Sequence, residues 1–297
     1  MAEMSLATDQ PDSLGTRLFR CWRVLATGIC FASFGLGGLL LWLVVFPILN
    51  LVVRNRARRA RIARDIIRLT WRMFIGQMHV LGIYTYEFIG EEKLRRNGQL
   101  ILANHPSLID VVFLVSHVRN ADCVVKGPLA RNPFTRGPVR AADFICNDSG
   151  EGLIDDCIAS LRRGHNLIIF PEGTRTRPGE PMQLQRGAAN IAVRGRRTMT
   201  PIVIQCDQPM LFKGQKWWRV PRRRPHYVFR VEDDIAVEDI TDVSAGEARA
   251  ARVVTDYLRD YFTTRAGAAA AALSALALSL ALASSPSITE FARHAGA

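Results

Sequence analysis

No Cys-x-x-Cys pair occurs in this sequence. Its six cysteines, Cys21, Cys30, Cys123, Cys146, Cys157 and Cys206, stand singly. No His/Cys cluster has the spacing of metal ligands, so no metal is expected. Reduced, buried thiols in a cytosol-facing domain are the simplest reading of such a set. Negative charge is also short. There are 27 Asp and Glu against 39 Lys and Arg, a formal net charge of +12. That excess points to an anionic partner. Neither a zinc-finger spacing nor an RNA-recognition signature accompanies it, so nucleic acid is not the expected partner. From Val24 to Val53 charge is missing altogether.

What is present begins with that uncharged run. As one straight helix it would measure about 45 Å, against a hydrocarbon core of about 30 Å. It is too long and too far into the chain for an ordinary cleavable signal peptide. Gly35-Leu36-Gly37-Gly38 falls near its middle. Two geometries follow: one tilted transmembrane helix, or two short helices that enter and leave the same leaflet. Arginines flank both ends, with seven of them from Arg54 to Arg68. The heavier side is expected to be cytoplasmic. From Arg54 to about Met78 apolar residues alternate with arginines, as in an interfacial helix whose basic face meets an anionic membrane surface.

From Tyr84 onward short apolar runs alternate with helical stretches. The runs Tyr86–Ile89, Leu100–Ala103, Cys123–Val125, Phe144–Cys146, Leu167–Phe170, Ile202–Gln205 and Tyr227–Val231 read as strands. Ser107–Val118, Gly152–Arg163 and Gln185–Gly195 read as helices between them. The pattern predicts an α/β fold with a mostly parallel, helix-covered sheet. Length allows one such domain plus a membrane element. The expected division is a disordered 1–16, membrane-embedded and interfacial helices over 17–83, the α/β domain over 84–265, and an Ala/Leu-rich helix and tail over 266–297. Trp217-Trp218, beside Arg219 and Arg222-Arg223-Arg224, reads as a second membrane contact or a basic surface loop.

Two loops carry chemistry. Asn104-His105-Pro106-Ser107-Leu108-Ile109-Asp110 lies where a strand becomes a helix. On an unbroken helix, residues five apart point about 140° away from each other. If His105 precedes the helix and Asp110 lies in its second turn, the carboxylate can reach back to the imidazole. Pro106 favours such a break. A general base held by Asp110 and a histidine in a capping turn both fit this segment. The second loop, Phe170-Pro171-Glu172-Gly173-Thr174-Arg175-Thr176-Arg177, follows another strand. Gly173 allows a tight path, and Thr174, Arg175, Thr176 and Arg177 offer donors suited to a phosphate. Glu172 could accept from a substrate hydroxyl or tether an arginine. Between the loops, Lys126–Phe134 and Arg136–Arg140 read as an irregular connector, with Lys126, Arg136 and Arg140 as further phosphate ligands or solvated cations.

Together the two loops resemble the glycerolipid acyltransferases. Asn104-His105 through Asp110 is similar to that family's His-x-x-x-x-Asp motif, and Phe170–Arg175 to its Phe-Pro-Glu-Gly-Thr-Arg motif. Pro201 looks like the proline of its last motif. The chain resembles a bacterial 1-acylglycerol-3-phosphate (lysophospholipid) acyltransferase over roughly Tyr86 to Gln205. The resemblance implies transfer of a fatty acyl chain from acyl carrier protein or coenzyme A to a lysolipid hydroxyl. His105 would be the general base and Asp110 its partner. Asn104, Lys126, Glu172, Gly173, Thr174 and Arg175 would bind substrate. No cofactor is implied beyond the thioester co-substrate. An acyl-enzyme is not required, in keeping with the lack of a Gly-x-Ser-x-Gly elbow. Backbone donors near Asn104 or the following helix start would hold the oxyanion. The implied location is the bacterial cell membrane, with the catalytic domain on its cytoplasmic face.

One departure bears on the acceptor. Many family members carry a phosphate-binding arginine after the strand that here is Phe144–Cys146; this chain has Asn147-Asp148-Ser149. Other cations compensate, or the acceptor is an ornithine lipid, a specialised polyene lipid or a similar amphiphile. A hydrolase using His105 to activate water, and a non-catalytic lipid-binding membrane protein, are the alternatives of other classes.

Overall fold

The structure, a computed structural model, describes residues 14–147 and 152–283. One seven-stranded sheet organises them: β1 (Thr85–Ile89), β2 (Leu100–Ala103), β3 (Ala121–Val125), β4 (Ile145–Cys146), β5 (Asn166–Ile169), β6 (Met199–Cys206) and β7 (His226–Val231). The order across the sheet is β1-β7-β6-β2-β5-β3-β4. Every neighbouring pair is parallel except β6 with β7. All seven expected strands are present, each within three residues of its expected ends. All four residues of β2 are buried, because helices cover both faces. Leu100 and Leu102 face one core and Ile101 and Ala103 the other, which is the period-two alternation of a strand.

On the first face lie α1 (Leu14–Leu40), α2 (Phe46–Val52), α3 (Arg56–Val80) and α4 (Asp110–His117). On the second lie α7 (Leu153–Arg162), α8 (Gly187–Gly195) and α9 (Glu247–Ala283). Between β3 and β4 two short helices, α5 (Gly127–Arg131) and α6 (Arg136–Ala141), replace the irregular connector expected there. Pro128 sits in the first turn of α5, where its missing N–H removes no helical bond. The Ala/Leu-rich stretch is helical to Ala283, as the continuation of α9, which crosses the expected boundary at residue 265 without a break. The expected disorder of 1–16 and the end of the 266–297 tail lie largely outside the described residues.

The N-terminal helix is not divided at its glycines. α1 passes through a π-type turn at Leu41–Val45 directly into α2, and the stretch Leu14–Val52 is long and apolar enough to cross a membrane. Gly38 serves close packing instead. A Cβ on Gly38 would meet the Phe134 carbonyl oxygen at 2.3 Å, and one on Gly137 would meet the Trp42 Cβ at 2.4 Å. The helix therefore lies against the α/β domain. Trp22 Nε1 donates to Leu81 O at 3.0 Å. The Arg23 guanidinium donates to the carbonyls of Pro221, Arg222 and Arg223 at 2.6–2.7 Å. Phe34 packs on Phe74, with ring centroids 4.9 Å apart. From Trp22 to Trp42, about 30 Å of helix has an inner face occupied by protein. The outer face exposes Leu18, Trp22, Leu25, Ile29, Leu36, Leu40 and Leu43, a single stripe at helical spacing. Trp217 is half exposed and lies edge-on to Phe31 of α1, centroids 6.3 Å apart.

α3 also departs from a simple basic-outside helix, because Arg64 points inward. Its Nε donates to Ala142 O at 2.9 Å, one Nη to Asn120 Oδ1 at 3.1 Å, and the other reaches Asp122 Oδ2 at 3.4 Å. Both charged groups are buried, and burial pulls the Arg64 pKa down, opposed by Asp122. Ser160 Oγ and Cys123 N–H complete the Asp122 carboxylate. This fork pins α3 to the sheet and to the end of α6. Arg64→Lys keeps the charge and loses the fork. The expected loss is about 2 kcal/mol, from two hydrogen bonds of roughly 1 kcal/mol each, read as a lower urea midpoint with an unchanged slope.

Candidate active site

β2 and β5 are adjacent and parallel, with Leu102 opposite Ile169. Three residues further on, His105 and Glu172 leave the same sheet edge at the same level. That edge, at the carboxyl ends of the strands, is where open α/β sheets bind ligands. The strand end is secured by Asn104. Its amide donates to Ile204 O at 2.8 Å and accepts from Ile204 N–H at 2.7 Å. The side chain thus supplies one more rung between β2 and β6, and is buried. Asn104 thus has a structural part in closing the sheet end beside the loop.

The backbone then turns before the helix begins. α4 starts at Asp110, after a turn over Ser107–Ile109, so Asp110 is the first helical residue and not part of a second turn. Pro106 precedes the turn. Asp110 Oδ2 accepts from Ser107 N–H at 2.6 Å, and Oδ1 accepts from Ser107 Oγ. The first of these ties the start of the turn to the start of the helix. The same Oδ2 lies 2.9 Å from His105 Nδ1. A carboxylate only accepts, so Nδ1 carries the proton and Nε2 presents its lone pair. Asp110 is 0% exposed and the His105 side chain 18%. The carboxylate is therefore sealed while the imidazole reaches solvent. The imidazole also stacks on Phe170, centroids 4.2 Å apart. Tyr227 of β7 is fully buried, and burial raises its phenol well above the ordinary range, with Cys206 and Asp110 adding to the effect.

Glu172 joins the two loops. Its Oε1 accepts from His105 N–H at 2.7 Å, and its Oε2 accepts from Thr176 Oγ1. Thr176 N–H in turn donates to His105 O at 3.2 Å. Glu172 is buried, and burial raises its pKa against the lowering effect of those donors. Each oxygen thus accepts a bond from within the protein, one from each loop. Gly173 has φ +64°, a region glycine enters freely, and its N–H returns to Phe170 O at 3.0 Å. Thr174 is exposed. Arg175 is half-buried and one Nη donates to Leu211 O at 2.9 Å; burial lowers its pKa, and Asp110 opposes this. Leu211 O also accepts from Leu108 N–H at 3.0 Å, which ties the loop after β6 to both motifs.

The remaining expected cations separate. Lys126 is exposed just before α5, on the same sheet edge but two strands from β2, or about 10 Å. Arg136 lies over the Trp42 ring at 4.2 Å and Arg140 lines a cavity beside α2; both belong to another part of the surface. Asn147 Oδ1 accepts from Gly127 N–H at 3.1 Å, while Asp148 and Ser149 lie outside the described residues. The His105, Ser107 and Leu108 N–H groups are all hydrogen-bonded internally, so they are not the oxyanion donors expected from this segment. Burial raises the thiols of Cys123, Cys157 and Cys206, the last two to about 12. These three are protonated at neutral pH and are poor nucleophiles. Ser107 and Phe170 went without a role in the sequence, and Thr176, read there as a phosphate donor, joins Glu172 and the His105 carbonyl. The Ser-x-x-Asp spacing of Ser107 with Asp110 is a capping signature that could have found the first.

A model of the acyltransferase family matches residues 85–205. A Helicobacter pylori 1-acyl-sn-glycerol-3-phosphate acyltransferase is 31% identical over 114 residues, 36% of this chain and 48% of that one. Its Saccharomyces cerevisiae counterpart is 24% identical over 189 residues, 60% of this chain and 61% of that one. The chain thus spans between about half and three-fifths of the curated relatives it matches. The solved 1-acyl-sn-glycerophosphate acyltransferase of Thermotoga maritima superimposes with a TM-score of 0.60 at 17% identity, covering 83% of this chain and 97% of that one, a likeness of fold. Residues 85–205, which hold both loops and the strands that carry them, are thus the part of the chain that is similar to the acyltransferase family.

Proposed function

We propose that the protein is a membrane-bound O-acyltransferase that moves a fatty acyl chain from an acyl carrier protein or coenzyme A thioester to a lysolipid hydroxyl. 1-Acylglycerol-3-phosphate is the first acceptor to test. The observation that carries this reading is the His105 Nδ1 to Asp110 Oδ2 contact of 2.9 Å with Nε2 left facing the sheet edge. In the proposed reaction Nε2 takes the proton of the acceptor hydroxyl as its oxygen bonds to the thioester carbonyl carbon. The carbon–sulfur bond breaks, and the leaving thiolate takes the proton back from Nε2. Asp110 stabilises the imidazolium between these steps. Arg175, held by Leu211 O, and Thr174 face the acceptor headgroup, with Lys126 completing its phosphate contacts. No group on the protein is acylated.

The apolar stripe of α1 supports membrane attachment. Because the opposite face of that helix is packed against the domain, the helix lies along one membrane surface and brings the sheet edge to the lipid. We assign that surface to the cytoplasmic face of a bacterial cell membrane, where acyl carrier protein and coenzyme A thioesters are made.

The test is transfer by the purified protein from labelled acyl carrier protein or acyl-CoA, with and without acceptor. The panel holds 1-acylglycerol-3-phosphate, other lysophospholipids, a lyso-ornithine lipid and a polyene headgroup lipid. Acylated lipid is expected only when acceptor is present. Thioester loss without acceptor would instead identify a hydrolase, and acceptor binding without turnover a lipid-binding protein. The panel has a physical reason. Arg136 and Arg140 lie away from the two loops and Arg175 shares its guanidinium with Leu211 O, so fewer cations face a phosphomonoester than the sequence offered.

A further inference from the structure

The cavity beside α2 has no part in the chemistry above. It holds about 470 Å³ and is walled by Trp42, Phe46 and Pro47 on one side and by Arg56, Arg59 and Arg140 on the other. None of its lining residues belongs to either catalytic loop. The cations stand where local electrostatics opposes them. α3 begins with Arg56, Arg58 and Arg59 and has no acidic residue in its first turn. The first turn of a long helix carries roughly half a positive charge, so anions are favoured there and cations are not. The cap is neutral: Asn55 Oδ1 accepts from Arg58 N–H at 2.9 Å. The one carboxylate lining the cavity is Asp143. It meets Arg56 at 3.1 Å with both side chains exposed, and such pairs contribute little. Arg59 and Arg140 have no acidic partner among the described residues. Beside the cavity, Arg136 sits over Trp42, and its Nε is buried without a hydrogen-bond partner among them.

A site that breaks a local rule this consistently has its compensation elsewhere. An anion at the mouth of the cavity would meet three guanidiniums and the positive end of α3. The apolar wall specifies what the anion is attached to. Trp42, Phe46 and Pro47 continue into Leu43, Val44, Ile48, Leu51 and Val52, all exposed on the outer surface of the same helical stretch. A free phosphate has no use for that surface; a phosphate carrying acyl chains does. We propose that this cavity binds the phosphate of an anionic bilayer phospholipid, held by Arg56, Arg59 and Arg140 with its chains along α2. The lipid is bound in addition to the acceptor, at a separate place. Its function is to fix the depth and tilt of the helix that carries the domain.

The experiment is calorimetric titration of the full chain in neutral detergent with dihexanoyl phosphatidylglycerol, dihexanoyl phosphatidylcholine and inorganic phosphate. Saturable binding of the phosphatidylglycerol alone is expected. Arg59→Ala and Arg140→Ala should each weaken it roughly tenfold or more, the loss of a charge-assisted phosphate contact. Arg58→Ala and Arg61→Ala remove the same charge from exposed positions outside the cavity. They should weaken it by about fivefold or less, the general attraction of a cation to an anionic surface. Equal losses in all four variants would reduce the effect to general surface charge and overturn the site. So would binding of inorganic phosphate as tight as the lipid's, or no saturable binding. Competition by 1-acylglycerol-3-phosphate at equal affinity would make the cavity an acceptor site and overturn the separation from catalysis. Because binding is the readout, failure here leaves the acyl-transfer assay untouched, and the reverse.

Discussion

His105→Ala is expected to lower acyl transfer by roughly 10²–10⁴-fold, the usual contribution of a positioned general base, while leaving the fold intact. The second half of that statement comes from how the loop is held. The bonds that join the two motifs use the main chain of His105: its N–H to Glu172 Oε1 at 2.7 Å and its carbonyl to Thr176 N–H at 3.2 Å. Alanine keeps both. What it loses is the imidazole, with its contact to Asp110 and its stack on Phe170. The midpoint of thermal unfolding should move little, and the rate should collapse. kcat should fall with KM nearly unchanged, since the base acts on a proton in flight and not on bound substrate. Measuring acylated lipid and thermal midpoint on the same preparation checks both. Transfer equal to the wild type would remove the histidine from the mechanism.

Much of the sheet was legible in the sequence, for a simple reason. Buried parallel strands read as short continuous apolar runs, and Leu100–Ala103 is bounded exactly as it reads. Strand order was not legible, because nothing in β7 says that it inserts between β1 and β6 or that it runs antiparallel to β6. Several residues have a structural part that was not legible, for one cause: the fold engages each with a partner distant in the chain. Asn104 reads as a polar residue at a site and serves as an extra rung of sheet. Glu172 reads as a substrate ligand and serves as the clasp between loops. Arg64 reads as one of a row of membrane-facing arginines and serves as a buried fork on Asp122. Gly38 reads as a hinge and serves as a seat for the Phe134 carbonyl. In every case the residue type suggested freedom, and only long-range pairing could show the partner, often more than fifty residues away. The His105–Asp110 pairing was readable because it is local. It needed only a break in the helix between them, although the break is a turn over Ser107–Ile109 with Asp110 at the helix start.

Asp110 can be separated from the stability it also supplies. In Asp110→Ala, Ser107 N–H and its hydroxyl lose their acceptor inside the protein, at about 1–3 kcal/mol for each buried polar group left unmet. Lower activity in that variant would not distinguish a missing charge from a disordered loop. Asp110→Asn does distinguish them. Its carbonyl oxygen can occupy the Oδ2 position, accepting from Ser107 N–H and His105 Nδ1–H as the carboxylate does at 2.6 and 2.9 Å. Its amide then faces Ser107 Oγ, a hydroxyl that can turn from donor to acceptor. The contacts survive and the negative charge does not. What remains to be lost is the stabilisation of the imidazolium formed when Nε2 takes the acceptor proton. A hydrogen bond to a charged group contributes about 1.5–3 kcal/mol, so kcat should fall roughly 10²-fold with KM and thermal midpoint nearly unchanged. A kcat within twofold of the wild type would make Asp110 a capping residue only. The double variant sharpens the result. Asp110 acts on the reaction only through His105, so adding Asp110→Asn to His105→Ala should cost no further activity. A second independent loss of about 10²-fold would mean that the carboxylate reaches the substrate by another route.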